Sequence, residues 1–259
     1  MNTLWVALVR LVALLLMSTL ALQAYFLARV ALMRVVDPQS TSFQRSEAGR
    51  LLFTHGKIVW SQQWTDYERV SEHLKRAVIA SEDAGFAEHS GIEWDALEQA
   101  FERNQRAHER AERLNDRSDR RAASAKRPAA SAPRANPKLV GGSTITQQLA
   151  KNLFLAGERN IARKAQEFVI TLMLEALLSK RRILEIYLNN VEWGEGLFGA
   201  QAAARHYFHV DALRLGPLQA AQLAVMLPAP KRFERRPSSP YVLGRAATVA
   251  ARMEGVELP

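Results

Sequence analysis

Glu82 and Asp83 are the first residues in the chain whose types and spacing suggest chemistry. The two carboxylates follow the apolar run Ala77–Ala80 and precede Gly85, an order that predicts a helix end facing a turn. A carboxylate held against apolar walls has a raised pKa, which suits it to take a proton from a hydroxyl near neutral pH. An ordinary solvated helix terminus explains the same pattern, and spacing alone favours that interpretation. His89, a few residues later, is by itself typical of a hydrogen-bonded structural histidine.

A dense block of small and hydrogen-bonding residues, Gly141–Gln148, predicts the start of a helix. Glycines followed by Ser143 and Thr144 expose backbone N–H groups and hydroxyls that can hold phosphate oxygens, and Lys151 adds a positive charge one or two turns later. A plain N-cap by Ser143 or Thr144 is the alternative. The block is not a P-loop, because the Gly-Lys-Ser/Thr signature is missing.

A third group combines cations with a carboxylate. Arg159, Arg163 and Lys164 precede Glu167, and the apolar residues of Ile161–Leu178 cover most of a helix circumference. Such a helix is predicted to be buried. Its polar residues recur every four positions and form one stripe, which meets either partners or water, although an ion pair within the helix explains it equally well. The stripe consists of Arg163, Glu167, Thr171 and Glu175.

Glu82 and Glu167, with cations between them in the chain, fit a site for glycosyl transfer from a phosphate leaving group. Two carboxylates alone also fit a glycoside hydrolase. A sugar alkoxide leaves poorly and needs a general acid, whereas a diphosphate needs its growing negative charge met by Lys, Arg or a metal ion. The excess of cations therefore favours a diphosphate leaving group.

The positive charge of the chain is concentrated in one segment. The formal net charge is +9, and the residues from Arg103 to Lys138 carry +7 of it. This segment is rich in Arg, Ala and Ser with almost no large apolar residues, so we expect a solvated, mobile insert with helix in its first half. No aromatic residue is interleaved for base stacking, so a nucleic-acid partner is not expected. The absence of cysteine excludes disulfides and thiolate chemistry.

An N-terminal membrane anchor is predicted from the run Leu11–Ala28, which has no charged residue. Its 18 residues nearly cross a hydrocarbon core. A cleaved signal peptide is the alternative, but no Ala-x-Ala site follows the run. Basic residues flank both ends, so the charge bias does not decide the orientation.

The remaining segments point to a mainly α fold. One or two short strands are expected within Leu51–Trp64, and helical spacing dominates elsewhere. The predicted helices are Tyr67–Ala80, a helix beginning at Trp94, Ile161–Leu178, Arg181–Val191, Gly199–Tyr207, Pro217–Met226 and Tyr241–Met253.

Five motifs in order, over roughly Val70 to Phe233, resemble the peptidoglycan glycosyltransferases of bacterial cell walls. Together they are far more specific than any one alone. The matching stretches are Glu82-Asp83-x-x-Phe86-x-x-His89-x-Gly91, Gly142-Ser143-Thr144-Ile145-Thr146-Gln147-Gln148-Leu149-x-Lys151-Asn152-Leu153, Arg163-Lys164-x-x-Glu167, Lys180-x-x-Ile183-Leu184-Glu185-x-Tyr187-Leu188-Asn189, and the series Gly194, Gly199, Ala202-Ala203 and Tyr207-Phe208.

The resemblance implies polymerisation of lipid II, with Glu82 as general base and Asp83 in support. Glu167 would position the diphosphate, either through cations or through a bound divalent metal such as Mg²⁺ or Mn²⁺, for which Glu167 is the candidate ligand. The cations that would neutralise the leaving group are Lys151, Arg159, Arg163 and Lys164. The other residues placed at the substrate site by the motifs are Phe86, His89, Ser143, Thr144, Gln147, Gln148 and Asn152.

The same resemblance implies a lysozyme-like helical lobe beside a small membrane-associated jaw. Residues 1–34 would form a cytoplasmic stub and a single-pass anchor in the inner membrane. Residues 35–259 would form a periplasmic catalytic domain, with 103–138 as the basic insert. Expected partners are lipid II, the growing glycan chain, the membrane and other wall-synthesis proteins. The alternatives are a lytic or hydrolytic enzyme acting on finished peptidoglycan and a non-catalytic anchored scaffold.

Overall fold

The protein is described by a computed structural model that covers residues 2–124, 134–135, 142–155 and 160–259. It forms two units, one made of Met1–Gly91 with Thr144–Pro259 and the other of Ile92–Ser143. Helices dominate both units, as the sequence predicts, so the mainly α fold class is confirmed.

The first helix, α1 (Asn2–Leu32), has two parts with different surroundings. Every side chain from Leu4 to Leu22 is exposed, whereas Phe26 and Val30 are buried against the first unit. The stretch Leu4–Leu32 is long and apolar enough to cross a membrane. α1 is thus an apolar helix that is exposed in its N-terminal part and packs against the rest of the first unit in its C-terminal part.

Two contacts join α1 to the helix of the second motif and to the helix that follows it. The side chains of Gln23 and Gln166 exchange two hydrogen bonds, of 2.8 and 3.0 Å. One turn further along α1, the ring of Phe26 meets Phe154 edge-on, with centroids 5.3 Å apart. An amide that is removed from water without a partner is costly, so the amide pair favours the observed position of this part of α1.

The expectation for Leu51–Trp64 is only partly correct. Helix α2 (Ser42–His55) runs through its first five residues, and a single strand, β1 (Ser61–Gln62), follows. Thr41 and Gln44 form a capping box that starts α2, and Gly56 ends it in the left-handed conformation, with φ of 66°.

The helical core of the first unit is built around α9 (Pro217–Met226), whose middle residues are buried. Proline at its first position fits a helix start, because the missing N–H has no partner there. α9 packs against α3 and α11. The other helices of this unit are α3 (Glu72–Glu82), α5 (Ile145–Phe154), α6 (Ile161–Leu177), α7 (Lys180–Asn190), α8 (Ala200–Phe208), α10 (Pro230–Phe233) and α11 (Pro240–Met253), with 3-10 turns at Tyr67–Arg69 and Ala212–Arg214.

A small sheet joins the segment after α2 to the segment after α7. β3 (Leu197–Phe198) lies in the middle, parallel to β1 and antiparallel to β2 (Glu192–Gly194). The tight link between β2 and β3 needs Gly196, which has φ of 69° and whose missing side chain would lie 2.1 Å from a backbone oxygen.

The second unit contains α4 (Trp94–Ser124), which extends well into the predicted basic insert. Helix in the first half of that insert is therefore confirmed. Charges alternate along it, and Glu102 pairs with Arg106 one turn later at 2.8 Å. Asn115 exchanges two hydrogen bonds with the backbone of Ala135, of 2.8 and 3.2 Å. Most of the second half of the insert lies outside the described residues.

The prediction that α6 is buried is wrong for one of its faces. Ile161 is 90% exposed and Leu172 is 45% exposed, and both belong to an apolar stripe that faces outward. The polar stripe faces inward instead, where Glu167 and Thr171 are buried. The inward face also carries the buried Ile170 and Leu174, so α6 has apolar residues on both its inner and its outer face.

Candidate active site

Glu82 is the last residue of α3, which the Ser71 side chain caps at the other end. Asp83 leaves the helical conformation, so the carboxylate of Glu82 stands at the helix terminus. Its Oε2 accepts a hydrogen bond from Nε2 of Gln148 at 2.9 Å. Burial raises the pKa of Glu82, and the nearby charge of Asp83 adds to the rise, while Gln148 and Lys151 act in the opposite direction. A raised pKa is what a base working near neutral pH requires.

Asp83 is fully enclosed and ties together the segments around Glu82. Its Oδ2 accepts from the backbone N–H of Ile145 at 2.9 Å, and its Oδ1 lies 2.7 Å from Nε2 of His89. Because Nδ1 of His89 accepts from the N–H of Gly91, Nε2 carries the hydrogen and donates it to Asp83. Asp83 and His89 therefore hold the turn after α3 against the start of α5.

The start of α5 is capped by the chain itself. Thr144 Oγ1 accepts from the N–H of Gln147 at 3.2 Å, and the Gln147 side chain accepts from the N–H of Thr144. The Thr144 hydroxyl also donates to the carbonyl of Gly91 at 2.7 Å. Of the two interpretations of the Gly141–Gln148 block, the N-cap describes this helix start, with Thr144 as the cap.

Several residues of the second motif surround Glu82 from α5. Gln148 contacts it directly, and the charge of Lys151 lowers the pKa of Glu82. Lys151 is exposed, whereas Asn152 is buried in the same helix. The structure thus brings Gln148 and Lys151 to the predicted base.

Glu167 forms the centre of a second cluster, on α6. Its Oε2 accepts from Arg163 at 3.3 Å, and its Oε1 pairs with Lys164. The Nε of Arg163 is buried and has no hydrogen-bond partner among the described residues. A buried guanidinium nitrogen of this kind is costly unless a ligand or water occupies the site. The cluster therefore holds two cations around one buried carboxylate.

A direct hydrogen bond joins α5, the helix beside Glu82, to α6, the helix of Glu167. Thr146, near the start of α5, donates to Glu175, near the end of α6, at 2.5 Å. Phe154, the last residue of α5, and Gln166, in the first half of α6, both contact α1. The hydrogen bond from Thr146 to Glu175 thus ties α5, which carries Lys151, to α6, which carries Glu167.

Comparison with known proteins identifies the family to which the chain belongs. The sequence profile described as Transglycosylase matches residues 52–112 and 123–254. The chain belongs to the transglycosylase family. It is a glycosyltransferase enzyme, as the motifs predict.

Individual relatives of this transglycosylase extend the match over most of the chain. A protein named biosynthetic peptidoglycan transglycosylase from Burkholderia thailandensis is 48% identical over 93% of this chain and 83% of its own length. One of the same name from Paraburkholderia xenovorans is 46% identical over 93% of this chain and 88% of its own. Another, from Bordetella pertussis, is 47% identical over 86% of this chain and 82% of its own.

The remaining predicted site residues of the transglycosylase have different surroundings. Phe86 is buried beneath the ammonium group of Lys180, which lies 4.6 Å from its ring centre. Ser143 is exposed and belongs to the second unit. Arg159 lies outside the described residues. The substrate contacts predicted for these residues stay predictions.

Glu175 is a residue of this site that the sequence placed only in a polar stripe. Its Oε1 accepts from Thr146 at 2.5 Å and from Lys180 at 2.8 Å. Gly91 packs directly over it, because a side chain at Gly91 would lie 2.7 Å from Cγ of Glu175. Its position four residues after Thr171 placed Glu175 on the polar face of α6. That spacing did not indicate its contacts with Thr146 and Lys180.

The surroundings of Glu167 do not fit a divalent metal ion. Both of its carboxylate oxygens already face cations, Arg163 and Lys164. Mg²⁺ and Mn²⁺ prefer several oxygen ligands, and among the described residues Glu167 joins no group of three carboxylate or imidazole ligands. The positive charge at Glu167 therefore comes from Arg163 and Lys164, and a divalent cation stays a prediction.

Proposed function

We propose that this transglycosylase polymerises lipid II, with undecaprenyl diphosphate as the leaving group. The supporting observation is a largely desolvated carboxylate, Glu82, that accepts a hydrogen bond from Gln148 on α5, the helix that also carries Lys151. The carboxylate of Glu82 suits removal of a proton, and the ammonium group of Lys151 suits stabilisation of negative charge. The names of the relatives, which refer to peptidoglycan, agree with this substrate class.

In the proposed reaction, the acceptor sugar 4-hydroxyl attacks the anomeric carbon of the growing chain. Glu82 takes the hydroxyl proton as the new carbon–oxygen bond forms. The bond from the anomeric carbon to the diphosphate oxygen breaks, and its electron pair leaves with the diphosphate. A single displacement of this kind inverts the anomeric configuration.

Lys151, Arg163 and Lys164 meet the charge of the departing diphosphate in this proposal. Fixed cations stabilise charge that grows in the transition state more effectively than water does, because they need no reorganisation. Glu167 holds Arg163 and Lys164 in place before the substrate binds. Among the described residues the buried Nε of Arg163 has no hydrogen-bond partner, so one donor of this cluster is left for a ligand.

We also propose that α1 anchors the enzyme in the inner membrane, with the catalytic unit on the periplasmic side. The exposed apolar residues Leu4–Leu22 support the span. α6, which contacts α1 through Gln166, also exposes apolar residues on its outer face, which suits a substrate presented at a membrane surface. Binding to other wall-synthesis proteins stays a prediction.

The test is the substitution Glu82→Gln in the full chain, assayed with purified lipid II. We expect glycan polymerisation to fall by about 10²-fold or more, because general-base catalysis contributes about 10²–10⁴-fold. Glu88→Gln is the matched control, since Glu88 is exposed in the turn after the base. Polymerisation by Glu82→Gln at the wild-type rate would contradict the proposal.

A second assay separates synthesis from hydrolysis. The wild-type protein is incubated with finished peptidoglycan, and released fragments are measured. We expect none above the level seen with Glu82→Gln. Release of fragments without polymerisation of lipid II would instead identify a lytic enzyme.

A further inference from the structure

Tyr187 is a buried residue of α7 that reaches the proposed base through one intermediate. Its side chain is 1% exposed, and its hydroxyl lies 2.9 Å from Oε1 of Gln148. The other end of the same amide, Nε2, lies 2.9 Å from Oε2 of Glu82. Tyr187, Gln148 and Glu82 thus form a chain of two hydrogen bonds.

The chemistry of the three groups fixes the direction of both bonds. An ionised carboxylate only accepts, so Gln148 must turn its nitrogen toward Glu82. Its oxygen then faces Tyr187, which must donate. Burial raises the pKa of Tyr187 well above its ordinary value, and the charges of Glu82 and Asp83 raise it further, so the hydroxyl stays protonated.

The reversed amide would leave an unfavourable contact at Tyr187. If Gln148 turned its oxygen toward Glu82, its nitrogen would meet the tyrosine hydroxyl, and the hydroxyl hydrogen would lose its acceptor on the amide. A buried donor that loses its acceptor is costly. The orientation that Tyr187 favours is therefore the one that stabilises Glu82 as the anion.

We propose that Tyr187 is a positioning residue for the general base, whose hydroxyl holds the Gln148 amide in the orientation that donates to ionised Glu82. The inference rests on the proposed function, because it assumes that Glu82 is the base. Tyr187 acts through Gln148 and does not touch the sugar or the diphosphate. It opposes the burial that raises the pKa of Glu82.

The test is Tyr187→Phe, with kcat/KM for lipid II measured from pH 5 to 9. Removing the hydroxyl removes the donor that favours this orientation of the amide, so the acid limb of the profile should move up by roughly half to one pH unit, the equivalent of one ordinary hydrogen bond. Tyr207→Phe is the matched control, since its hydroxyl donates to the backbone oxygen of Trp193 at 2.8 Å and does not contact the amide. An unmoved acid limb in Tyr187→Phe would overturn the inference.

A double-mutant cycle with Gln148→Ala distinguishes positioning from general loosening of the core. If Tyr187 acts through Gln148, the double variant should have the pH profile of Gln148→Ala alone. Additive shifts would contradict the inference. Melting temperatures of all variants show whether each is folded.

A fluorinated tyrosine at position 187 covers the case in which Tyr187→Phe does not fold. It keeps the ring and is a stronger donor, so the acid limb should stay in place or move down, and an upward shift would overturn the inference. The outcome is separable from that of the proposed function. Loss of activity in Glu82→Gln together with an unmoved acid limb in Tyr187→Phe removes only the role of Tyr187, whereas an active Glu82→Gln removes the base itself.

Discussion

Replacing Glu192 by Gln should stabilise the protein at alkaline pH. Glu192 is buried at the start of β2, and its Oε1 lies 3.5 Å from Nζ of Lys231. Burial raises the pKa of Glu192 to about 7, opposed by Lys231 and reinforced by the charges of Glu47 and Glu234. The carboxyl group of Glu192 therefore binds a proton more tightly in the folded chain than in the unfolded chain.

The sign and size of the effect follow from linkage. Because the folded pKa of Glu192 lies above the unfolded value of 4.5, its favourable contribution is present below pH 4.5 and is lost as the pH rises through about 7. The full difference corresponds to about 3 kcal/mol, as an upper bound. Glutamine resembles the protonated acid, so Glu192→Gln should lose no stability over this range.

The assay is thermal unfolding of the full chain in detergent at pH 4.5 and pH 8. We expect equal melting temperatures for Glu192→Gln and wild type at the lower pH, and a higher one for the variant at pH 8. Each kcal/mol should raise it by about 2–4 °C. Glu257→Gln controls for the loss of one charge at an exposed carboxyl. A variant less stable than wild type at pH 8 would show that the ion pair with Lys231 outweighs the burial cost.

Two further substitutions test contacts that position the site. Gly91→Ala should lower the free energy of unfolding by about 2–4 kcal/mol, because φ is 84° and the new methyl group would lie 2.7 Å from Cγ of Glu175. Gly56→Ala, with φ of 66° and no atom within 4 Å, should cost only about 1 kcal/mol, and equal losses in chemical denaturation would refute the crowding at Gly91. Gln23→Leu should lower the melting temperature in detergent, and adding Gln166→Leu should restore part of it because no amide is left unpaired. A double-mutant cycle in which the two effects simply add would show that the amide pair contributes nothing.

The elements around the predicted base were accessible from sequence because their signals are local. The apolar run before Glu82 fixes the end of α3, and Thr144 with Gln147 marks the capping box of α5. In each of the two helices, the residues that carry the signal lie within one or two helical turns of one another. The cap of α2 carries the same local signature, but the buried residues of that helix are mainly polar, such as Gln44 and Glu47, so hydrophobic periodicity does not show it.

Long-range contacts explain what sequence could not show. The periodicity of α6 separates a polar stripe from an apolar one, but it does not say which of them faces the protein, and Glu167 and Thr171 turn inward because α5 and the turn at Gly91 lie there. The link from Tyr187 to Gln148 joins residues that are 39 positions apart. Such a pair is visible only once α5 and α7 are packed together.

The central claim is that Glu82 removes the acceptor proton, and it is tested most directly by separating substrate binding from bond formation in Glu82→Gln. Equilibrium binding of lipid II and single-turnover formation of the glycosidic bond are measured on the same preparation. The account predicts binding within about threefold of wild type, and a bond-forming rate at least about 10²-fold lower. Bond formation at the wild-type rate, with or without weaker binding, would contradict it.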